Sequence, residues 1–146
     1  MKAYKLHKIF SMLAFMTIVI FWTSTLIVEL FFSYDAIAIV KSLIVFPGLF
    51  ILIPSIIATA VTGNVIAKKS EKKELVDKKK KRMPIIALMG AVVLLPAAIY
   101  LNMLASQQLF DTQFYIVQVL ELIAGAINIT LMSLNIKDSI NIKIES

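Results

Sequence analysis

Four long apolar runs divide the chain, from 9 to 32, 37 to 67, 83 to 105 and 114 to 136. Each reaches the roughly 20 residues that a helix needs to cross a bilayer. None shows the sustained alternation of a membrane strand, and backbone groups cannot remain unpaired in lipid. The pattern predicts an all-α integral membrane four-helix bundle with up-down-up-down topology. We expect a single domain, with a cytoplasmic basic loop at 68–82 and a cytoplasmic tail at 137–146.

Polar residues inside the runs fall on one face of each predicted helix. In the fourth run they follow a 4-3-4-3-4-3 spacing, which keeps one side of a helix. The positions of this stripe are Phe114, Gln118, Glu121, Gly125, Asn128, Met132 and Asn135. Narrow arcs also hold His7, Ser11, Ile18, Trp22, Thr25 and Glu29 in the first run, and Lys41, Gly48, Ser55 and Thr59 in the second. Because polar side chains are costly in lipid, we expect these faces to point into the bundle.

Several charged residues lie at matching depths. Glu29 and Lys41 are each six residues from Asp35, in the middle of the first outer connection, so an antiparallel hairpin places them level. Glu121 lies seven residues into its run, about 10 Å down at about 1.5 Å per residue. The sequence predicts a buried charged and polar cluster in the outer part of the bundle. Its members are Glu29, Lys41, Gln118, Glu121 and Asn128.

Two interpretations of this cluster remain open. A charged Lys41 neutralises only one carboxylate, so the other is protonated or matched by a bound cation, as in a proton-handling or cation site. Alternatively, the Glu–Lys pair is structural, with Lys41 extending to the headgroups and Glu29 reaching the interface. Glu121 is the member that a structural role explains least easily.

Composition narrows the class of protein. Hydrophobic residues make up 60% of the 146 residues, and the mean hydropathy is +0.89. A soluble domain has about 45–50% apolar residues, so this chain is not an ordinary soluble enzyme or a disordered tail. It contains no cysteine, which excludes a disulfide scaffold and thiol or iron–sulfur chemistry. The sequence also lacks a phosphate-binding glycine loop and a His/Cys cluster for zinc.

Basic residues predict the orientation. The N-terminal tail, the 68–82 loop and the C-terminal tail hold 14 of the 15 lysines and arginines, and the remaining one is Lys41. The positive-inside rule then predicts an inner-membrane protein with both termini cytoplasmic. The run Lys78–Arg82 is interpreted as a topology signal or as a contact for anionic lipid headgroups, not as a nucleic-acid site. The first run is too long for a signal-peptide core and has no cleavage site, so it is expected to be retained.

Prolines and glycines predict local features of the helices. We expect kinks at Pro47, Pro54 and Pro96, and we place Pro84 in the first turn of the third helix. Single glycines permit close approach of a neighbouring helix. Four aromatic residues are interpreted as an outer belt at the membrane surface: Tyr34, Phe110, Phe114 and Tyr115.

His7, the only histidine, lies at the start of the first helix. As a haem ligand it would need a partner, such as Met12, Met132 or the same histidine of a second subunit. Without that role it is an interfacial residue.

A resemblance bears on this histidine. Lys5-Leu6-His7-Lys8 opens a helix with a mid-span tryptophan, and the next run carries Val40-Lys41, Pro47-Gly48 and Thr62-Gly63. This order, over about the first 65 residues, resembles small four-helix bacterial membrane proteins of the copper-resistance-D-like, haem-associated group. The resemblance implies that His7 and Lys41 serve haem or a metal.

The expected function is redox- or proton-linked, with haem b or a quinone held within or between subunits. The alternative is a non-enzymatic accessory or assembly subunit, or a cation-handling protein, whose polar face contacts a partner helix. Expected partners are the lipid bilayer and either a second copy of the chain or another membrane subunit.

Overall fold

The computed structural model describes residues 2–69 and 73–145, with the side chains of 5–65 and 81–138. Regular structure in these residues is entirely helical. The α-helices are α1 (Lys2–Phe31), α2 (Tyr34–Leu43), α3 (Leu49–Lys69), α4 (Lys73–Leu88), α5 (Leu95–Ser106) and α6 (Thr112–Glu145). Short π-helical segments, Ile44–Gly48 and Met89–Leu94, join α2 to α3 and α4 to α5.

Joined in this way, the helices form four rods that are long and apolar enough to cross a membrane. The qualifying segments are Lys5–Phe31, Tyr34–Val65, Lys81–Ser106 and Thr112–Asp138. Large apolar side chains such as Leu30, Phe31, Phe46 and Phe50 lie exposed on the outside. Lipid solvates such a surface, whereas water would drive it to associate. The predicted all-helical, four-helix architecture is confirmed.

Two short connections lie together at one end of the bundle. Residues 32–33 join α1 to α2, residues 107–111 join α5 to α6, and Tyr34 stacks on Phe110 with ring centroids 4.3 Å apart. We call this end the hairpin end. An outward-facing belt is the wrong interpretation for Phe114, which is fully buried in a core cluster with Ile37 and Leu101.

Helical backbone extends into both segments assigned to cytoplasmic loop and tail. α3 continues to Lys69, α4 begins at Lys73, and α6 continues to Glu145. Pro84 is therefore eleven residues into α4, and its predicted place in a first turn is wrong. Most of the Lys78–Arg82 side chains lie outside the described residues, so their contact with lipid headgroups stays a prediction.

The prolines act differently from one another. Before Pro47 the backbone leaves the helical region at Phe46 (φ −142°, ψ 121°), which separates α2 from α3. Pro96 follows the second π-helical segment, where the N–H of Leu95 donates to the carbonyl of Gly90, five residues earlier. The kinks expected at these two prolines are matched by local breaks in the α-helical ladder. Pro54 instead lies within α3.

Gly63 and Gly125 lie against aromatic rings of α1, as expected for close helix approach, whereas a Cβ atom at Gly90 would meet no atom within 4 Å. A Cβ atom at Gly125 of α6 would lie 2.9 Å from Cδ1 of Trp22. A Cβ at Gly63 of α3 would lie 3.2 Å from Cε1 of His7. Any larger residue at Gly125 would displace the indole, so glycine sets how closely α1 and α6 pack here.

Candidate functional site

A buried ion pair joins α2 to α6 in the hairpin half of the bundle. Nζ of Lys41 donates to Oε1 of Glu121 at 2.9 Å. The Lys41 side chain is only 1% exposed and that of Glu121 is 12% exposed. Lys41 therefore does not extend to the surface, which removes that part of the structural interpretation.

Gln118 orients the acidic partner of this pair. Its Nε2 donates to the same Oε1 of Glu121 at 3.1 Å, from one turn earlier on α6. Both donors reach one oxygen, and no donor in the described part of the chain reaches Oε2. The carboxylate is thus held at one oxygen while the other stays available.

Glu29 adds a second carboxylate to the group. It lies on α1, close enough for its charge to be attracted by Lys41 and repelled by Glu121. Its Oε1 is buried and has no hydrogen-bond partner in the described residues, and the same holds for Oε1 of Gln118. The ammonium group of Lys41 pairs with Glu121, while the second carboxylate and the amide oxygen of Gln118 lie near this pair without a donor in the described residues. We call Glu29, Lys41, Gln118 and Glu121 the charged cluster.

Lys41 lies in the short helix α2, just before the break in the second rod. Ser33 caps the start of α2 by accepting a hydrogen bond from the N–H of Ala36 at 3.3 Å. Ile37 and Lys41, one turn apart, are the buried residues of this helix. Lys41 lies in its last turn, where the negative end of the helix dipole favours a cation. Lys41 is thereby held on the inward face of α2, as the spacing of polar residues predicts, at the end of the helix that precedes the break.

A small cavity of about 50 Å³ lies beside Glu121. Its wall is otherwise mostly apolar and includes Phe21, Trp22, Thr25 and Gly125. The indole nitrogen of Trp22 donates to the carbonyl of Leu122 at 2.9 Å, which fixes the ring across the α1–α6 contact. Its volume exceeds the roughly 10–15 Å³ that one water molecule needs, but few polar groups face it.

Asn128 lies on the inward stripe but not in the charged cluster. It is two helical turns beyond Glu121, about 10 Å along α6. Its Nδ2 donates to the carbonyl of Ile86 at 3.3 Å, three residues before the π-helical segment of the third rod. A π-helical segment interrupts the i→i−4 hydrogen bonds of the backbone, and Asn128 donates a hydrogen bond to a backbone carbonyl close to this interruption. Its Oδ1 is buried without a partner in the described residues.

His7 is buried between α1 and α3, away from the cavity. Its Nδ1 is 3.0 Å from Oγ1 of Thr62 and 3.2 Å from the carbonyl of Thr59. Of its two suggested methionine partners, Met12 lies on the outer surface and Met132 packs in the apolar core. No group of three or more His, Asp or Glu that could hold a metal occurs among the described residues.

Sequence reasoning missed a second ion pair, near the other end of the bundle. Arg82 of α4 donates to Oδ2 of Asp138 on α6 and, at 3.3 Å, to Oδ1 of Asn135. Arg82 belongs to the basic run that predicts topology, so the sequence gives no separate indication that it forms an ion pair. The signal for its partner is present, because Asp138 continues the stripe three residues after Asn135.

No family model, curated protein or solved structure to which the chain was compared matches it. The resemblance carried by the first 65 residues therefore stays a prediction. The candidate site rests on the geometry of the charged cluster and its cavity.

Proposed function

We propose that this chain is a multi-pass inner-membrane protein whose function is linked to the binding and release of a proton within the charged cluster. The observation that carries the proposal is the buried, unpaired Oε1 of Glu29 beside the Lys41–Glu121 pair. Both termini face the cytoplasm and the hairpin end faces outward, as the basic residues indicate. Labelling of single cysteines, introduced at Gln108 and in the 68–82 segment, from outside intact cells tests this orientation.

Charge balance supports an exchangeable proton. With both carboxylates ionised, the cluster carries one negative charge in excess of its single lysine. An uncompensated charge away from water costs several kcal/mol, and two carboxylates near each other do not both ionise freely. A proton on Glu29 removes the excess charge, and the protonated carboxyl group then has an O–H that donates a hydrogen bond.

The small cavity marks one side from which the cluster is reached. Glu121 lines it, and so does Thr25, one turn below Glu29 on α1, whereas the rest of its wall is mostly apolar. This side of Glu121 is the route that we propose for exchange of the proton.

The haem or quinone version of a redox function gains no support from this cavity. Pockets for cofactors are about 300–1,000 Å³, several times larger than the space beside Glu121. The buried ring of His7, held at Nδ1 by Thr59 and Thr62, does not line this space. The proposal therefore includes no step through a haem or quinone.

Infrared spectroscopy of the full chain in nanodiscs tests the proposal. The absorption of protonated carboxyl groups is recorded across a pH series for the wild-type protein, Glu29→Gln and Glu121→Gln. We expect a titrating band that Glu29→Gln removes. Asp35→Asn is the matched control, because Asp35 is an exposed carboxylate near the same end.

A Glu29→Gln spectrum identical to the wild-type spectrum at every pH would refute proton binding at this residue. The Lys41–Glu121 pair would then be structural, and the accessory-subunit role would be favoured. Retention of the band in Asp35→Asn ensures that the loss in Glu29→Gln is specific to the cluster.

A further inference from the structure

The small cavity beside Glu121 lies at the middle of all four rods. Its lining includes one residue at the centre of each apolar segment: Ile18 of Lys5–Phe31, Leu49 of Tyr34–Val65, Leu94 of Lys81–Ser106 and Gly125 of Thr112–Asp138. Each of these segments is long enough to cross the hydrocarbon core of a bilayer, which is about 30 Å thick. In a membrane, the cavity therefore lies near the midplane of the bilayer.

Both interrupted rods contribute to the wall of this cavity. Ile44 begins the π-helical segment between α2 and α3, and Leu94 ends the segment between α4 and α5. Facing them are Ala98 of α5 and Gly125 of α6, whose side chains are too small to fill the centre of the bundle. The space thus lies where two rods depart from regular α-helix and two others present small residues.

The chemistry and the size of the cavity limit what can occupy it. Almost all of its wall is apolar, and the indole nitrogen of Trp22 is already bonded to the carbonyl of Leu122. An ion or a headgroup would lose its hydration there without equivalent partners. An apolar cavity of about 150 Å³ holds one benzene molecule, so a volume of about 50 Å³ has room for about two carbon atoms. The wall therefore fits the end of a hydrocarbon chain rather than a ring or a polar group.

The surroundings of the cavity indicate where such a chain comes from. The cavity is half-open rather than sealed. Next to its lining residues, Phe50 follows Leu49 and Val92 lies two residues before Leu94, and both are exposed on the apolar outer surface. At the midplane, headgroups and water are about 15 Å away on either side, so the ends of lipid acyl chains cover this surface.

We propose that this cavity binds the end of an acyl chain of a membrane phospholipid. Lipid tails are as apolar as the wall, so the binding energy comes from dispersion contacts that fill the empty space. A seated chain end closes this side of Glu121, and its withdrawal opens it. The inference rests on the membrane location within the proposed function and does not depend on proton binding.

Trp22 provides the readout, since it is the only tryptophan in the chain and it lines the cavity. Bromine atoms quench tryptophan fluorescence on contact. Full-length protein is placed in nanodiscs of phosphatidylcholine that is brominated near the chain end, brominated near the headgroup or not brominated. We expect the strongest quenching of Trp22 from bromine near the chain end.

Variants distinguish the cavity from the general depth of the indole. Ala98→Leu fills the cavity and leaves the depth of Trp22 unchanged, so it should lower chain-end quenching to the level given by bromine near the headgroup. The reference is Trp22→Phe combined with Ile20→Trp, which moves the tryptophan to an exposed position about 3 Å away along α1. Adding Ala98→Leu to this reference should leave its quenching unchanged. Leu94→Ala widens the cavity and should increase the quenching of Trp22, which keeps the test available if Ala98→Leu does not fold.

Equal quenching of Trp22 in the wild-type protein and in Ala98→Leu would overturn the inference, because the bromine would then reach the indole from outside the cavity. Weak quenching of Trp22 beside strong chain-end quenching of the Ile20→Trp reference would also overturn it, while the membrane location would stand. Weak quenching of both tryptophans in every lipid would overturn the membrane location together with the inference. The infrared titration of Glu29→Gln tests proton binding independently of these outcomes.

Discussion

Glu121 and Asp138 of α6 form ion pairs at two different levels of the bundle, and the two pairs differ in their surroundings. Glu121 pairs with a lysine that is 1% exposed, whereas Asp138 pairs with an arginine that is 20% exposed. The two acidic residues are seventeen positions apart, about 25 Å along the helix. The two acidic side chains are equally exposed, at 12%, so the difference between the pairs lies in the exposure of the cation.

The exposure of each pair indicates how strongly the fold depends on it. At the Arg82 end, the arginine is 20% exposed, so water or headgroups reach this pair more readily. At the Lys41 end, the ammonium group is 1% exposed, so water does not replace a lost partner. The Lys41–Glu121 pair also has a further carboxylate, Glu29, close by, whereas Arg82 is matched by Asp138 and the neutral Asn135. The pair with the more buried cation is therefore also the pair that has an additional carboxylate nearby.

The largest expected effect is that of Lys41→Met. It keeps the volume of the stem but leaves Glu121 without its ammonium partner, so we expect a loss of about 3–5 kcal/mol in the free energy of unfolding. Unfolding in mixed detergent micelles measures the change. Adding Glu121→Leu to this variant should recover much of the loss, because no charge of the pair then remains. A loss below about 1 kcal/mol for the single variant would place the pair with surface ion pairs.

Glu121→Leu should have an intermediate effect. It removes the partner of Lys41, but Glu29 supplies a second carboxylate within electrostatic range, so we expect a loss of about 1–3 kcal/mol. Glu121→Gln keeps the shape and should stay closer to the wild-type stability. The same unfolding measurement compares the two. A fully stable and functional Glu121→Leu variant would make the polar stripe incidental to function.

Arg82→Met should have the smallest effect, about 0–1 kcal/mol, because its side chain is 20% exposed and Asp138 gains access to water when the arginine is lost. Measured beside Lys41→Met, it is the matched control for removing a cation from an ion pair of α6. Equal losses in the two variants would contradict the distinction between the two ends.

The fourth rod shows how much of the molecule the sequence predicts. Its stripe positions Phe114, Gln118 and Asn128 are buried, and Glu121 faces the interior as expected. The prediction succeeds because lipid penalises polar side chains strongly, so the spacing of polar residues reports directly on which face is hidden. The same penalty made the depth match of Glu29, Lys41 and Glu121 informative.

Helix rotation and helix neighbours decided the rest. Lys41 pairs with Glu121 rather than with the sequence-near Glu29, and Arg82 pairs with Asp138, because these choices depend on which rods adjoin. The cavity depends on how Trp22 packs on Gly125, since both residues line it. Periodicity fixes one helix at a time, whereas partners and empty space are properties of several helices together. The sequence alone therefore determined the rods and their polar faces, and tertiary packing decided which charges meet and where the cavity opens.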